Sequence, residues 1–421
     1  MTAHVDVDRR TLGGARRRIG PFGLWIGFLL LVMAVAFGTW IYQVSNGLGV
    51  TNLRNTVMWG QYILFFMFFV GLSAGGLIVA SSGRLFGATR FSPIVRLAVV
   101  EATVAVMLAA IFLFPDIGRP ERLWHIFRYP NLTSPMVWDF TIVAAYFALS
   151  AAYVWLYTRA DLAAAGSPLA LGTADTPESR ARDDRWKGIL AWIALPAAVL
   201  LHSITAWIFG LQISRGFWYT AIMAPMFVAS ALVSGLALVI LLALVVRRFG
   251  RLHFDDGLVS YLGALLAVFI SVEAFFVLSE ALTAAYPGAP FEGDPIARML
   301  TGQFAPLFWF EVIVGLFVPF VLLARRSWRA SPRVVAVAAG IAIIGIYVHR
   351  LNLVLNGLAI SPIGLPPGVS VGTVQDGSSF AMSNWYVPSL VEWIIVAGVL
   401  AFGALVFTFA ARWLPLQPRQ H

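Results

Sequence analysis

Runs of apolar residues alternate with short polar segments along most of the chain. Ten runs are long enough to cross the roughly 30 Å hydrocarbon core of a bilayer as helices. Helices satisfy their own backbone hydrogen bonds in lipid, so runs of this length predict transmembrane helices rather than strands. We therefore predict an all-α, polytopic membrane protein. The predicted spans are about 22–42, 57–80, 93–115, 137–157, 189–211, 219–246, 258–281, 304–325, 332–351 and 387–411.

Composition agrees with this prediction and excludes other classes. Apolar residues make up 60% of the 421 residues and charged residues 12%, which no soluble globular domain of this size shows. The chain has no cysteine. This excludes disulfides, iron–sulfur ligation by this chain and thioether-linked haem. The net charge of +9 comes from basic clusters between the apolar runs, a pattern that indicates membrane orientation rather than nucleic-acid binding.

The basic residues predict which side each loop faces. The N-terminal side of the membrane holds 22 of the 29 Lys and Arg residues, and the opposite side holds 7. Cytoplasmic loops carry this excess, so we expect both termini in the cytoplasm and a cell (inner) membrane location in a bacterium or archaeon. The hairpin 115–140 then faces outward, as do 282–303 and 352–386. The segment 158–188 is predicted to be a flexible cytoplasmic linker.

An internal repeat organises the spans. Landmarks on the third, fourth and fifth helices recur in the same order on the seventh, eighth and ninth. This predicts two four-helix bundles, helices 2–5 and 6–9, as parallel repeats with helices 1 and 10 on the flanks. The predicted domains are 1–56, 57–211 with the hairpin, 212–357, and 358–421 with an outward loop and helix 10. The paired landmarks are Glu101 and Glu273, Trp138-Asp139 and Trp309-Phe310-Glu311, His202 and His349, and Gly210 and Gly357.

Ionisable residues in the spans are candidates for function because they are expensive in hydrocarbon and need a partner, water or a chemical role. Glu101 and Glu273 lie deepest, and the others lie toward the predicted outer ends. A structural interpretation stays open for each: helix-end acids complement the helix dipole, histidines bond neighbouring helices, and a neutral Glu bonds a hydroxyl. The quinone-binding or proton-transfer candidates considered below are Asp116, Asp139, His202, Glu101, Glu273, Glu311 and His349.

The outward hairpin carries the most specific pattern in the chain. It reads Asp116-x-Gly118-Arg119-Pro120-x-Arg122, then Trp124-His125, then Asn131-Leu-Thr-Ser134-Pro135-Met136-x-Trp138. This pattern resembles the signature of the NrfD/PsrC family, the quinone-interacting membrane subunits of polysulphide reductase-like complexes. Gly71-x-x-Ala74-Gly75 on the second helix also fits. The motifs cover about residues 60–140, and the ten predicted spans place the chain with the ten-span members.

The resemblance implies a function. A protein of this kind binds exchangeable menaquinone or ubiquinone near the outer face, holds no haem or metal, and exchanges electrons with a ferredoxin-like iron–sulfur or multihaem c-type partner. A molybdopterin catalytic subunit often lies beyond that partner. The resemblance leaves open whether the chain itself oxidises quinol or reduces quinone, or has no catalytic role. It makes four hairpin residues the candidates for docking the partner: Arg119, Glu121, Arg122 and His125.

Three other functions stay open on the residues alone. Parallel repeats with buried carboxylates also describe proton-coupled transporters. A b-type cytochrome would use His202 and His349, which match between the repeats, as axial ligands. A structural membrane anchor would bind no quinone. For the hairpin, the alternative without a binding function is a solvated loop that only orients two helices.

Overall fold

The computed structural model describes residues 20–54, 57–171, 174–286, 290–359 and 386–417, with the backbone alone for 290–294. All regular structure in these ranges is helical, and ten helices are long and apolar enough to span a membrane. The predicted all-α polytopic class is therefore confirmed. The spans are α1 (Pro21–Asn46), α2 (Gln61–Leu85), α3 (Val95–Asp116), α4 (Pro135–Ala164), α5 (Pro177–Gly210), α6 (Met223–Arg248), α7 (Asp256–Ala285), α8 (Ala305–Ala324), α9 (Pro332–Leu358) and α10 (Leu390–Trp413).

Helix α2 lies at the centre of the molecule and is the most completely buried span among the described residues. It packs against α3, α5 and α6. At the crossing with α6, a Cβ on Gly75 would lie 2.1 Å from the carbonyl carbon of Gly235, and a Cβ on Gly235 would lie 2.4 Å from the Gly75 nitrogen. Small residues let helix backbones approach closely in membranes, so this glycine pair determines how near the two halves lie.

Helix contacts within each half follow the same order. In the first half α2 contacts α3, α3 contacts α4, α4 contacts α5, and α5 returns to α2. In the second half α6, α7, α8 and α9 make the corresponding four contacts. These are the contacts that a duplicated four-helix unit would produce. The duplication, its parallel symmetry and the domain boundaries stay predictions.

Helices α1 and α10 pack on each other outside the two halves. A Cβ on Gly398 of α10 would lie 2.0 Å from Cβ of Ala36 on α1. Helix α10 also contacts α3, where Gly403 faces Leu108. Most apolar side chains of α1 are exposed, as expected of a helix that faces lipid. The predicted outer segment before α10 lies largely outside the described residues.

The prediction that 158–188 is a flexible linker is wrong at both ends of that segment. Helix α4 continues to Ala164 and α5 begins at Pro177, so only the segment between them connects the two helices. A buried ion pair between Arg159 on α4 and Asp183 on α5 joins the extensions. Polar residues on these extensions resembled a loop in the sequence, because the hydrophobic pattern marks only the part of a helix that lies in lipid.

Helix α8 is irregular where its counterpart α4 is regular. Its middle, Phe310–Phe317, is a π-helical segment. In the sequence, Glu311 stands five residues after Pro306, whereas Asp139 stands four after Pro135. A π-segment accommodates one inserted residue, and such segments are frequent at functional sites. The insertion therefore appears in the fold as a local widening of the helix that carries Glu311.

Candidate functional site

One hydrogen bond joins the same pair of helices in both halves. Thr205 on α5 donates to Oδ1 of Asp139 on α4 at 2.6 Å. In the second half, Asn352 on α9 donates to Oε2 of Glu311 on α8 at 2.7 Å. All four side chains are buried. Each donor lies three residues after the histidine landmark of its half, so two predicted acids occupy matching positions with matching partners.

The two histidines differ in their partners. Nδ1 of His349 lies 2.8 Å from Oε1 of Glu311, and its Nε2 lies 3.8 Å from Oε1 of Glu273. In contrast, Nδ1 of His202 lies 2.6 Å from the carbonyl oxygen of Ala198, and its Nε2 lies 3.1 Å from that of Val70. A neutral imidazole can donate to only one of these two carbonyls. The second half therefore brings its three predicted candidates together, whereas His202 bonds to backbone.

The deep carboxylates, Glu101 and Glu273, are both buried and lack hydrogen-bond partners for either oxygen within the described residues. Glu101 lies on α3 against α2, where a Cβ on Gly76 would come within 2.7 Å of its Oε2. The structural interpretation requires each Glu to bond a neighbouring hydroxyl. The described residues contain no such bond. Buried polar groups are rarely left unpaired, so both positions call for a functional explanation.

Arg350 was missed as a candidate. It is one of the seven basic residues assigned to the outward side, at the end of the predicted span 332–351, but it lies inside α9 and is 1% exposed. Without it the outward count falls from seven to six, and the excess of basic residues stays on the same side. Its guanidinium hydrogen-bonds Ser230 and stacks 3.7 Å above the Phe227 ring on α6. The corresponding residue in the first half is Ser203, so only the second half carries this buried cation.

A small cavity of about 10 Å³ lies beside this cluster, with Glu280, Glu311, His349 and Asn352 on its polar side. Phe217 and Phe308 are among its apolar walls. This volume is that of about one water molecule. Among the described residues, no group of three or more His, Cys, Asp or Glu side chains is arranged to hold a metal ion.

A second buried network, also missed, joins α1, α2, α3 and the start of α10. Tyr62 donates to Oε1 of Gln43 at 2.6 Å, and the Gln43 amide donates to the carbonyl oxygen of Pro115 at 2.7 Å. Nearby, the Tyr386 hydroxyl donates to Glu392 and accepts from the backbone NH of Gln61 at 2.8 Å. Burial, followed by the charge of Glu392, raises the pKa of the Tyr386 hydroxyl and keeps it a neutral donor.

Two outer acids in this region have different roles. Glu392 forms a capping box with Ser389, whose backbone NH donates to it at 2.8 Å. Glu392 therefore acts as a helix-end acid that caps α10. Asp116 ends α3 next to Pro115, and its Oδ1 is buried without a hydrogen-bond partner in the described chain. Asp116 thus remains a candidate for binding or proton transfer.

The hairpin candidates Arg119, Glu121, Arg122 and His125 are all exposed. Within the described ranges, neither arginine forms an ion pair with Asp116 or Glu121. Exposed aromatic side chains, including Trp124 and Phe127, lie among these charges. The hairpin therefore presents basic and aromatic groups outward, where another protein can contact them.

The fold and these clusters define a class of protein: a multi-pass helical membrane protein with titratable groups buried inside its spans. The sequence matches the family model described as "Polysulphide reductase, NrfD" over residues 49–362, and the chain belongs to this family. The family predicted from the hairpin motifs is thereby confirmed.

The chain also resembles individual curated proteins over nearly its whole length. It is 38% identical over 397 residues to a putative dimethyl sulfoxide reductase membrane subunit of Halobacterium salinarum, which covers 93% of this chain and 91% of that protein. It is 26% identical over 418 residues to a selenate reductase subunit of Mesobacillus selenatarsenatis, with 94% and 95% covered. It is 25% identical over 394 residues to an Hdr-like menaquinol oxidoreductase integral membrane subunit of Archaeoglobus fulgidus, with 93% of each covered.

Proposed function

We propose that this chain is the membrane subunit of an oxidoreductase complex and exchanges electrons between a membrane quinone and a redox partner bound at its outer hairpin. The family supports this proposal, because relatives are named as membrane subunits of reductases and one as a subunit of a menaquinol oxidoreductase. The exchangeable cofactor is menaquinone or ubiquinone.

One structural observation supports a location for the electron exchange close to Asp139. The hairpin is attached to the start of α4 on both sides of Asp139. The indole of Trp138 donates to the carbonyl oxygen of Leu132 at 2.6 Å, and the rings of Phe127 and Phe140 pack edge to face with centroids 5.3 Å apart. A partner bound to the hairpin therefore lies within a few residues of a buried carboxylate.

The residues around Asp139 fit the needs of a quinone ring. Quinol gives up two electrons and two protons, and its ring oxygens need hydrogen-bonding groups in an otherwise apolar pocket. Asp139 can accept a proton, and Thr205 holds its carboxylate in place. His202 lies one turn from Thr205 on α5, and Asp116 ends α3 on the hairpin side. The first half therefore places donors, acceptors and proton-binding groups close to the partner.

The partner is a ferredoxin-like iron–sulfur or multihaem c-type protein, followed by a molybdopterin catalytic subunit. Arg119 and Arg122 make no ion pair with other described residues, so both remain available for carboxylates of that partner. Arginine is suited to this role because its planar guanidinium makes two parallel hydrogen bonds to one carboxylate. The exposed aromatic groups beside them would supply apolar contact area.

The orientation belongs to this proposal, since the partner must reach the hairpin. The excess of basic residues supports an orientation in a bacterial or archaeal cell membrane with both termini in the cytoplasm and the hairpin outside. Cysteines at Asn131 and Ala164, both exposed, test this in a chain without natural cysteine. An impermeant reagent applied to intact cells should label position 131 alone, and labelling at 164 alone would reverse the orientation.

The b-type cytochrome alternative conflicts with the histidine contacts. An axial ligand needs one ring nitrogen free to bind iron. Nε2 of His202 lies 3.1 Å from the Val70 carbonyl oxygen, and Nδ1 lies 2.6 Å from that of Ala198. Neither nitrogen has room for iron without a change in packing. We therefore do not propose haem ligation by His202 and His349.

Covalent labelling with a photoreactive quinone tests the proposed site. Peptides from the outer ends of α3, α4 and α5 should carry the label, and natural quinone should compete with it. Asp139→Asn should reduce the labelling, whereas its matched variant in the second half, Glu311→Gln, should leave it in place. Labelling confined to α7, α8 and α9, or labelling that natural quinone does not displace, would contradict the proposal.

A further inference from the structure

Buried polar atoms without partners are concentrated in the second half of the molecule. Within the described residues, both oxygens of Glu273, Oε1 of Glu280, Nε2 of His349 and Oδ1 of Asn352 are buried and accept or donate no hydrogen bond. Nε and Nη1 of Arg350 are in the same situation. Folded proteins pair nearly all such groups, with other residues or with ordered water. Glu280, His349 and Asn352 of this set line the cavity, so their unpaired atoms point to a ligand there that can both donate and accept.

These groups lie in a row along α7 and α9 that begins at the cavity. Glu280 lines the cavity on α7, and Glu273 lies seven residues deeper on the same helix, a rise of about 10 Å. His349 stands between them on α9. Its Nδ1 contacts Glu311 at 2.8 Å and its Nε2 lies 3.8 Å from Glu273. One imidazole therefore faces a carboxylate on each side, the arrangement needed to receive a proton on one nitrogen and release one from the other.

Water fits this row better than any other ligand. A buried water is plausible only where a site is polar, has room for it and offers two to four partners. The cavity of about 10 Å³ matches one water, and four polar side chains surround it. The ligand must also carry protons, because the groups it meets are carboxyls and an imidazole. Water meets both conditions.

Arg350 gives the row its charge. A fully buried cation needs a counter-charge, and within the described chain this guanidinium is bonded only to the neutral Ser230. Glu273 and Glu311 are the acids close enough to interact with this charge. A buried cation favours the ionised form of a nearby carboxylate, which leaves a position in the row open for a proton.

The first half does not repeat this arrangement, which makes it an internal control. Its deep acid, Glu101, packs against Gly76, and its histidine bonds to backbone carbonyls. Ser203 replaces Arg350 and bonds the Val199 carbonyl oxygen of its own helix. The two halves have therefore diverged at the residues that matter for proton exchange.

We propose that Glu273, Glu280, Glu311, His349 and Asn352 hold internal water and form a proton-exchange site, with Arg350 as its permanent counter-charge. A proton passes from water to the Glu280 carboxylate, through the cavity water to Glu311, from Glu311 to Nδ1 of His349, and from Nε2 of His349 to Glu273. Only O–H and N–H bonds form and break, and each donor regains a proton from the group before it. The physiological role of this site, taking up or releasing protons as quinone changes charge, rests on the proposed function.

Two measurements on the purified protein test the site without quinone, so its failure is distinguishable from failure of the proposed function. In radiolytic footprinting, hydroxyl radicals formed from bound water oxidise nearby side chains. Met299, which lines the cavity, should be oxidised at least threefold faster than Met223, which is also buried but does not line it. Equal oxidation of the two methionines would show that no water is held there.

Infrared spectroscopy after transfer to D₂O then tests proton exchange. In the unaltered protein, a carboxylic-acid carbonyl band should shift rapidly. Glu280→Gln or Glu273→Gln should remove or diminish that shift. Arg350→Gln should increase the intensity of the band, because one more carboxyl becomes protonated. Glu101→Gln, the matched variant in the first half, should leave the rapidly shifting band unchanged. A band that does not shift in D₂O, or that only Glu101→Gln removes, would overturn the proposal.

Discussion

His349 places Nδ1 2.8 Å from Oε1 of Glu311, and this pair has no equivalent in the first half of the molecule, where both matching residues are described. The matching histidine, His202, bonds to backbone carbonyls instead, and the matching acid, Asp139, bonds to Thr205. Asp139 is one methylene shorter than Glu311, and α4 lacks the π-segment that widens α8. Similar sequence landmarks thus give two chemically different sites.

The Thr205 hydroxyl holds the Asp139 carboxylate at the proposed quinone site. Thr205→Val keeps the shape of the side chain but removes the donor, so electron transfer from quinol should fall roughly tenfold, the scale of losing one hydrogen bond to a charged group. Thr205→Ser, which keeps the hydroxyl, should restore most of the rate. Quinol-dependent reduction of the partner is the measurement, and a wild-type rate in Thr205→Val would mean that the bond has no part in the reaction.

The contact between Gly75 and Gly235 holds the two halves together. Gly75→Ala puts a Cβ against the backbone of α6 and should destabilise the protein by about 1–3 kcal/mol, the usual cost of overpacking. Gly38→Ala on α1 is the control, because nothing lies within 4 Å of its added Cβ. Thermal unfolding in detergent should show a lower midpoint for Gly75→Ala only. Equal midpoints for the two variants would argue against the close crossing.

The ion pair between Arg159 and Asp183 is buried and joins α4 to α5. Arg159→Ala leaves a buried carboxylate unpaired, which should cost about 3–5 kcal/mol. The exposed pair of Arg247 and Asp256 is the control, and Arg247→Ala should cost less than about 1 kcal/mol. The double variant Arg159→Ala/Asp183→Ala should recover part of the lost stability in a denaturation assay. If Arg159→Ala and Arg247→Ala were equally mild, the pair would be solvated rather than buried.

The two hairpin arginines should be needed for the partner but not for insertion. Replacing both Arg119 and Arg122 with Ala should release the redox partner during affinity purification, because their carboxylate contacts are lost. The membrane protein itself should accumulate at the normal level, since neither side chain forms an ion pair within the described chain. Arg248→Ala, exposed at the other end of the spans, controls for loss of charge. Co-purification of the partner at wild-type yield would place the interface elsewhere.

The sequence predicted the spans well because an apolar run of about 20 residues has one physical solution in lipid. It also paired Asp139 with Glu311 and His202 with His349 by spacing alone. It could not show that Thr205 and Asn352 bind those acids, because each pair is more than 40 residues apart.

Two omissions have clear causes. Arg350 follows His349 directly and was counted with the outward basic residues, since a charged side chain near a span end usually reaches water. The network of Gln43, Tyr62 and Tyr386 joins helices that are distant in the chain and carries no charge pattern of its own. The polar helix extensions 158–164 and 177–188 were missed because hydropathy detects only the part of a helix in lipid.

Electron exchange between quinone and the partner through this chain is the central claim. In vesicles that contain the purified complex and quinol, rapid-mixing absorption spectroscopy follows reduction of the iron–sulfur or haem centres of the partner. We predict reduction when this chain is present, a rate at least tenfold lower with Asp139→Asn, and a normal rate with Asp184→Asn, which removes an exposed carboxylate outside both proposed sites. Equal reduction of those centres by quinol when this chain is absent would contradict the claim.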